Sequence, residues 1–482
     1  MRNKAGNFKL PAFSLLYGML LARQTAFYIC AAALIMWVLV CYNPFALWFQ
    51  NDDFSHILLS KHGVFFQKNS FRPICDLSVM VDYFVWGKYA PGYHITNLFL
   101  HVICTVLVYF LSKQLFLLHC PYLQKPFFAV AAALLFFAYP FHGEAVFWVL
   151  GRSGILAAIF SLLFLLFFVK EKVTLFYTVA SLVAWGAALL TYESCWVLPL
   201  VAAILAKPRM QKTLLQKLGR YWGLAILFVG YLAARVVANG GVMGSYEGAN
   251  FLQFNAGVLT GNFFKLAIMG FVAYTDSPWA LQAGFFVAFG VLVFLFCRCF
   301  STWVFKLVSC FLILLLPYLS LGIDTHGTEG ERFLYLPSVF AVLCTVGLLG
   351  RLKKRYMLYG SVGFMAVLYA VQLYIAAVNY RFAGKLVQQT LIAMACAPVG
   401  RNITMEGLPK SQHGALIFAS GLRDGQLFYA TDPEKIDLVK IKSWRYELNP
   451  LQAPYKTVML HAQPGMATVR FVFTDTALLI YR

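Results

Sequence analysis

Apolar runs alternate with short polar connections along the first 380 residues of the chain. A helix needs about 20 apolar residues to cross a bilayer, so each run is a candidate membrane span. We therefore expect an all-α polytopic membrane protein over residues 26–380, with a cytoplasmic N-terminus at 1–25. The pattern predicts about eleven spans, at roughly 26–49, 92–112, 126–141, 145–169, 173–190, 195–206, 221–238, 281–297, 304–321, 333–350 and 356–378.

The pattern changes after residue 400, where short apolar runs alternate with Pro, Gly and Asp turns. Runs of this kind are typical of β-strands. We therefore expect a small β-rich domain over 400–482. Its predicted strands include 415–419, 427–430, 438–444, 457–461, 468–473 and 477–481.

Composition supports the membrane assignment. Hydrophobic residues make up 61% of the 482-residue chain and charged residues 12%, against about 45–50% and 25% in soluble proteins. A net charge of +20 would suggest nucleic-acid binding in a soluble protein. Here it indicates the Lys and Arg excess of cytoplasmic loops, so we expect no nucleic-acid partner.

Acidic and basic residues lie in different connections. The basic ones group at 113–125, 170–172, 207–220, 298–303 and 351–355, which predicts a cytoplasmic location for these connections. The acidic ones lie on the opposite face, with Glu171 as the exception. They are Asp52, Asp53, Asp76, Asp82, Glu144, Glu193, Glu247, Asp276, Asp324, Glu329 and Glu331. A carboxylate near the hydrocarbon is costly and by default marks a functional site, so we expect a carboxylate-lined chamber outside the cytoplasm.

Two outer loops are long, at 50–91 and 239–280. In the first, apolar positions between Ile74 and Val85 have near-helical spacing, which predicts a helix lying in the membrane interface. In the second, Phe263–Tyr274 is too short for a confident span, so we interpret it as an interfacial or re-entrant helix. An odd number of spans then places the β-rich domain outside as well.

Asp52 and Asp53 are adjacent at the end of the first span. Two like charges at one low-dielectric site cannot both ionise freely, so the pair would titrate as a unit. Such a carboxylate suits a general base or an oxygen ligand of a divalent metal. The alternative is a solvated pair that caps the next helix.

Two further segments carry candidate chemistry. A hairpin between two spans holds His142 and Glu144, expected at the chamber mouth, and Arg152 follows it. Its alternative is a simple capped helix start. The segment 324–338 carries Glu331 and Arg332, whose guanidinium could grip a phosphate or merely pair with Glu331 or Glu329. The remaining candidates on this face are Arg72, His94, Arg235 and Lys265.

Nucleotide-binding motifs are absent from the sequence: it has no phosphate-binding loop and no Rossmann glycine pattern. A donor used outside the cytoplasm cannot be a nucleotide sugar. A lipid-linked phosphate in the bilayer meets that condition.

Five blocks in order resemble the transmembrane and tetratricopeptide-repeat O-mannosyltransferases, within the GT-C glycosyltransferases. The resemblance covers roughly 50–340. The blocks are Asp52-Asp53, Phe71-Arg-Pro with Gly92-Tyr-His-Ile-Thr-Asn-Leu-Phe-Leu-His101, Tyr139-Pro-Phe-His-Gly-Glu-Ala-Val-Phe-Trp148 with Gly151-Arg152, Tyr231-Leu-Ala-Ala-Arg235, and Glu331-Arg-Phe-Leu-Tyr-Leu-Pro-Ser338. The chain departs from that family at Thr191-Tyr-Glu193-Ser and has a β-rich region in place of the repeats.

The resemblance implies a glycosyltransferase whose active site faces away from the cytoplasm. The donor would be a polyprenyl-phosphate-linked monosaccharide, and the acceptor a hydroxyl of a protein, a lipid or a surface glycan. Asp52 would be the base of an inverting transfer, with Asp53 as its partner. The donor phosphate would lie on Arg332, Arg235, Arg152 or Arg72. The acceptor or a metal would be positioned by Glu144, His142, His94 and Glu331, and a divalent cation, Mg²⁺ or Mn²⁺, would have Asp53 and Glu144 as ligands.

Two other functions compete with this interpretation. A glycan polymerase or ligase would use a lipid-diphosphate donor and would also need outer arginines. A transporter or flippase would use the carboxylates as a relay, but transporters often contain inverted repeats, and we find no internal repeat. Compact loops indicate a bacterial inner membrane with the site facing the periplasm. The sequon Asn402-Ile-Thr404 keeps the endoplasmic reticulum as the alternative.

Overall fold

A computed structural model describes most of the chain. The described residues are 29–64, 70–170, 174–206, 214–242, 254–272, 278–321, 330–396, 402–429, 439–448, 456–460 and 468–481. The predicted N-terminal segment 1–25 and the acidic residues Glu171, Glu247, Asp276, Asp324 and Glu329 lie outside them.

The part before residue 396 is a bundle of helices. They are α1 (Ile29–Ala46), α2 (Asp53–Lys61), α3 (Pro73–Trp86), α4 (Ala90–His119), α5 (Pro126–Phe137), α6 (Gly143–Phe147), α7 (Arg152–Phe168), α8 (Leu175–Thr191), α9 (Leu198–Leu205), α10 (Leu214–Asn239), α11 (Ala256–Met269), α12 (Trp279–Arg298), α13 (Thr302–Leu315), α14 (Pro337–Leu349) and α15 (Arg355–Ala395).

Five of the described helices are long and apolar enough to cross a membrane: α1, α4, α10, α12 and α15. The bent pair Pro126–Phe137 and Pro140–Phe147 makes a sixth if it is counted as one span, and shorter apolar helices fill the rest of the bundle. The chain is therefore an integral membrane protein, while the count of eleven spans stays a prediction.

Three of the connections predicted to be cytoplasmic, 113–125, 298–303 and 351–355, meet at one end of the bundle beside the end of α9. His119, at the end of α4, stacks on Trp303 with ring centroids 4.7 Å apart, and its Nε2 lies 3.0 Å from the carbonyl oxygen of Leu205. The guanidinium of Arg351 lies 4.1 Å from the centre of the Tyr122 ring. Side chains that are far apart in sequence thus gather on the basic end of the bundle.

The first long outer loop contains two helices. The predicted helix near 74–85 is confirmed as α3. It starts at Pro73, since proline fits the first turn of a helix, and it ends just before Gly87, whose φ is +57°. In the second loop, α11 begins at Ala256, before the predicted 263–274. Asn255 explains the earlier start, since its side chain accepts a hydrogen bond from the backbone N–H of Val258 at 2.8 Å.

The last helix is longer than its apolar run. The predicted span ends at 378, but α15 continues to Ala395 and has 41 residues. That is about 60 Å, twice the roughly 30 Å hydrocarbon core. After the apolar run ends, one buried stripe continues through Ala383, Leu386, Val387 and Leu391. This amphipathic extension packs on the loop after α1, where a Cβ at Gly384 would come within 3.0 Å of Trp48.

The C-terminal region contains two small sheets, as predicted. Their strands are β1 (Asn402–Glu406), β2 (Leu408–Gln412), β3 (Ala415–Leu416), β4 (Val439–Ile441), β5 (Trp444–Glu447), β6 (Lys456–Leu460), β7 (Thr468–Phe473) and β8 (Ala477–Tyr481). One sheet has the order β4-β1-β7-β8-β6 and the other the order β3-β2-β5. Within them, β1 pairs parallel with β7, with Ile403 beside Val469.

One predicted strand is wrong. Of its residues 427–430, the first three belong to a helix, α16 (Leu422–Tyr429), that packs on α2 and α15, and residue 430 lies outside the described residues. Its buried residues Leu422, Gly425 and Phe428 recur every three positions, which is helical spacing. A four-residue apolar run is too short to distinguish a strand from a helix, and here the tertiary partners decide.

Candidate active site

The adjacent carboxylates Asp52 and Asp53 have different environments. Asp53 is fully buried, and its two oxygens accept backbone N–H groups from Gln50 at 2.9 Å and from Leu150 at 3.2 Å. Asp52 is the N-terminal cap residue of α2 and is partly exposed. Its side chain accepts a hydrogen bond from the hydroxyl of Ser420. One carboxylate is thus held in the fold, and the other faces the site.

Burial raises the pKa of Asp53 to about 8. The two backbone N–H groups and Arg152 oppose that rise, while the charge of Asp52 adds to it. The interpretation of the pair as a mere solvated cap does not fit a side chain with no exposed surface. Asp53 instead ties the loop after α1 to the hairpin that contains Leu150.

That hairpin, residues 143–152, joins the separate parts of the site. The predicted span at 145–169 is interrupted here, since α6 ends at Phe147 and α7 begins at Arg152. Asn97 of α4 lies beneath the turn, with Nδ2 2.9 Å from the carbonyl oxygen of Trp148. A side chain at Gly151 would overlap the carbonyl of Glu144, so the turn requires glycine there.

His142 and Glu144 do not line an open mouth, as expected from the sequence, because residues 330–334 cover the hairpin. Both side chains are buried. His142 lies against Ser338, with Nε2 2.9 Å from the hydroxyl oxygen. His94 is also buried, with Nε2 3.3 Å from the carbonyl oxygen of Trp48.

Arg332 pairs with Glu144, where the sequence suggested Glu331 or Glu329. One oxygen of Glu144 accepts the backbone N–H of Gly330 at 3.2 Å and that of Arg332 at 3.0 Å, and the other meets the Arg332 guanidinium. Glu144 is 1% exposed, but the Arg332 side chain is 27% exposed and lies 5.4 Å from the centre of the Trp148 ring. The buried Glu144 carboxylate therefore holds the guanidinium of a side chain that is partly exposed to solvent.

Glu331 lies behind this pair, in contact with the hairpin. It is buried, and its carboxylate comes within 3.2 Å of the position a side chain at Gly143 would take. Burial and the charge of Glu144 raise the pKa of Glu331 well above its ordinary value, while the charge of Lys265 opposes this. The neutral form is favoured, which limits repulsion of an anionic ligand near Arg332.

Arg72 and Arg235 share one acid. The Arg72 guanidinium forms a fork with the Glu193 carboxylate, at 3.0 and 2.7 Å, and lies 4.3 Å from the centre of the Tyr192 ring. Arg235 approaches the same carboxylate at 3.9 Å and also donates to the carbonyl of Val242 at 2.7 Å. Two guanidinium groups on one partly exposed carboxylate leave a local excess of positive charge. Glu193, which lies in the segment that departs from the O-mannosyltransferase pattern, thus pairs with both Arg72 and Arg235.

Arg152 has a different environment from these. It is fully buried, forms an ion pair with Asp82 at 2.6 Å, and donates to the carbonyls of Val149 at 3.2 Å and Tyr93 at 3.2 Å. Asp82 also accepts the hydroxyl of Thr96 at 2.8 Å. This is a structural ion pair between α3 and α7, so we leave Arg152 out of the phosphate site proposed below.

The two residues suggested as metal ligands have other partners. The oxygens of Asp53 accept two backbone N–H groups, and those of Glu144 meet Arg332 and Gly330. Among the described residues, no three His, Cys, Asp or Glu side chains form a group that could hold a metal ion. These residues fit a divalent cation poorly, and no step below depends on one.

Sequence reasoning missed several members of the site. Asn51 and Ser420 lie directly beside Asp52, and Asp424 follows in α16. His56 was missed as well; it joins α2 to Asp76 of α3, one of the predicted outer acids, with Nδ1 and Oδ1 3.0 Å apart. No short-range pattern connects residues 51–52 with 420, so only the tertiary structure reveals that contact.

No protein-family model matches the chain. Part of it is similar to Protein O-mannosyl-transferase tmtc2 of Xenopus laevis, at 33% identity over 147 residues, which are 30% of this chain and 15% of that protein. Protein O-mannosyl-transferase Tmtc2 of Drosophila melanogaster is 36% identical over 132 residues, 27% of this chain and 13% of that protein. The predicted resemblance is confirmed, although the similar segment spans only about a seventh of these relatives' length.

The fold as a whole resembles a bacterial membrane protein. ArnT from Cupriavidus metallidurans in the apo state superposes with a TM-score of 0.52 at 12% identity, covering 87% of this chain and 90% of ArnT. The structure of ArnT bound to undecaprenyl phosphate gives 0.50 at 11% identity, with 86% and 90% covered. At such identities the likeness shows the fold alone, an arrangement of helices that this chain shares with ArnT.

Proposed function

We propose that this protein transfers one sugar from a polyprenyl phosphate to an acceptor hydroxyl outside the cytoplasm. The observation that carries the proposal is the partly exposed Asp52 carboxylate, on the end of the bundle that also presents Arg332 and Arg72. The O-mannosyltransferase names of the relatives and the undecaprenyl phosphate bound by ArnT support a lipid-linked donor.

Asp52 is the better candidate for the base. A general base must reach the proton that it removes, and Asp53 is buried with both oxygens engaged. Within the described chain, the side-chain hydrogen bond of Asp52 uses Oδ1, from Ser420, which leaves Oδ2 for an acceptor. Asp53 then holds the loop that presents Asp52.

The donor phosphate lies on the exposed arginines. Arg332 is the first candidate, because Glu144 fixes its guanidinium while its outer face stays in solvent. Arg332 also contacts the hairpin that binds Asp53. Trp148 lies beside Arg332, and the backbone N–H of Leu150 donates to Asp53. Trp148 and Leu150 are two positions apart in the chain, which is at most about 7 Å. Arg72, whose side chain is 22% exposed, is the second candidate, whereas Arg235, which shares the Glu193 carboxylate with it, is only 4% exposed.

The transfer then proceeds in one displacement. Asp52 takes the acceptor proton as the acceptor oxygen attacks the anomeric carbon. The bond from that carbon to the phosphate oxygen breaks on the opposite side, so the configuration inverts. The lipid phosphate leaves with its electron pair, and Arg332 stabilises the added negative charge. One such preorganised donor is typically worth about 3–4 kcal/mol.

The location follows from the charge distribution. The basic end of the bundle indicates the cytoplasmic face, so the Asp52 end lies outside the cytoplasm. A bacterial inner membrane with a periplasmic site is our first placement, and the endoplasmic-reticulum lumen is the alternative. The acceptor would be a protein or a surface glycan.

Donor use by the purified protein tests the proposal. We would offer polyprenyl-phosphate monosaccharides, mannose first, beside the matching polyprenyl diphosphates, and determine the anomeric configuration of the product. Turnover of a monophosphate donor with inversion is the expected result. Turnover confined to diphosphate donors would instead indicate a polymerase or ligase. Ion or lipid movement in proteoliposomes without any turnover would indicate a transporter.

A further inference from the structure

The C-terminal region reaches the proposed base directly. The backbone N–H of Ser420 donates to Oδ1 of Asn51 at 2.6 Å, and the backbone N–H of Asn51 donates to the carbonyl of Ile417 at 3.2 Å. The Ser420 hydroxyl lies 2.9 Å from the same Asn51 oxygen and also meets Oδ1 of Asp52. Residues 417–421, here called the C-terminal loop, therefore lie against residues 51–52.

The donors and acceptors around Ser420 show where its hydroxyl proton goes. A hydroxyl has one proton to donate. Oδ1 of Asn51 already accepts the Ser420 backbone N–H, whereas Oδ1 of Asp52 is a carboxylate oxygen and the stronger acceptor of the two. The hydroxyl proton thus goes to Oδ1 of Asp52. This bond restrains the rotation of the carboxylate and occupies Oδ1.

The structure around Ser420 allows the C-terminal loop to approach residues 51–52 closely. Gly421 has φ +77°, and a side chain there would overlap the carbonyl of Asn51, which itself has φ +49°. Next to the loop, α16 packs its Phe428 ring against Phe49 and Phe54, with centroids 5.6 and 5.5 Å apart. Three aromatic rings and two positive-φ residues thus hold the loop at Asp52.

We propose that Ser420 is a positioning residue for Asp52 and that the C-terminal loop forms one wall of the acceptor site. This inference rests on the proposed function. Because Oδ1 is held by Ser420, an acceptor hydroxyl would approach Oδ2 past the loop. The C-terminal region thereby acts in the transfer step as well as in choosing the acceptor.

Ser420→Val and Ser420→Thr form a matched pair for the test, since they have the same shape and only threonine keeps the hydroxyl. Ser420 is exposed, so the extra methyl group has room. We expect Ser420→Val to lower kcat about tenfold or more with donor KM unchanged, because a hydrogen bond to a charged group is lost. Ser420→Thr should stay within about threefold of wild type. Equal kcat values for the two variants would overturn the proposal.

A second readout does not need turnover. A water-soluble carbodiimide labels accessible carboxylates, and peptide mass spectrometry gives the labelling rate at Asp52. Faster labelling in Ser420→Val than in Ser420→Thr is expected, and equal rates would overturn the contact. If wild type turns over no donor while labelling differs, the contact stands, but the proposed function fails and the positioning role fails with it.

Discussion

Two arginine–carboxylate pairs lie at the same end of the bundle and differ in what surrounds them. Arg152 and Asp82 are both buried, and further backbone carbonyls accept from the guanidinium. Arg332 is 27% exposed, whereas its partner Glu144 is 1% exposed. The first pair joins α3 to α7, and the second presents a fixed positive charge to solvent. Residue type alone therefore does not separate a structural arginine from the one that we propose as phosphate ligand; exposure to solvent does.

The same contrast separates the two aspartates. Asp53 has no exposed surface and binds two backbone N–H groups, whereas Asp52 is partly exposed and meets Ser420. In each case the buried member keeps the site in shape and the exposed member reaches solvent. The predictions that follow test this division of roles.

The largest effect on stability should come from Arg152. Among the described residues, Arg152→Met leaves the buried Asp82 with only Thr96 as a side-chain partner, and breaking a buried ion pair typically costs about 3–5 kcal/mol of unfolding free energy. Arg332→Met is the matched control. It should cost less than half as much, because Glu144 keeps two backbone N–H groups. Unfolding in mixed detergent micelles measures both, and equal losses would contradict the comparison.

The next effect is the pH dependence of stability that Asp53 contributes. Its pKa is raised in the folded protein to about 8, against about 3.9 when unfolded. The folded state therefore binds this proton more tightly. The stabilisation is fully present below about pH 3.9 and is lost as pH rises towards 8.

Between pH 5 and 8, three pH units at about 1.4 kcal/mol each set a ceiling of about 4 kcal/mol on that loss. Asp53→Asn should remove this part of the pH dependence, and Asp52→Asn should keep it. Unfolding free energies measured across this range check the prediction, which fails if the slope persists in Asp53→Asn.

A smaller effect concerns donor binding at Arg332. Arg332→Lys keeps the charge but loses the planar fork, and Arg332→Met loses both. We expect the donor Kd to rise about 10- to 100-fold in Arg332→Met, the size of one lost charged hydrogen bond, and by less in Arg332→Lys. Titration with a polyprenyl-phosphate sugar in detergent measures this. An unchanged Kd in both variants would move the phosphate to Arg72 and Arg235.

The charge asymmetry made the ends of the bundle predictable from sequence. Positive residues collect in cytoplasmic loops for a reason that operates on each loop separately, so no tertiary knowledge was needed. The helix in the first long loop was predictable as well, because the apolar positions between Ile74 and Val85 repeat with helical spacing. Both features depend on residues close together in sequence.

The missed features depend on distant partners. Arg152 and Arg332 look alike in sequence, and only Asp82 and Glu144 distinguish them. The extension of α15 beyond 378 is stabilised by packing on the loop near Trp48. Ser420 is 368 residues away from Asp52, so no local pattern links them. Sequence reasoning thus found the residue types of the site but not their division into structural and exposed members.

The central claim is that Asp52 removes the acceptor proton, while Asp53 holds the loop that presents Asp52. The most direct test compares kcat and donor Kd of wild type, Asp52→Asn and Asp53→Asn with the donor that wild type uses. A general base is typically worth about 10²–10⁴-fold, so Asp52→Asn should lose that much kcat with its donor Kd and unfolding free energy unchanged. Asp53→Asn should lose stability as well as activity. Near-wild-type turnover in Asp52→Asn would contradict the account.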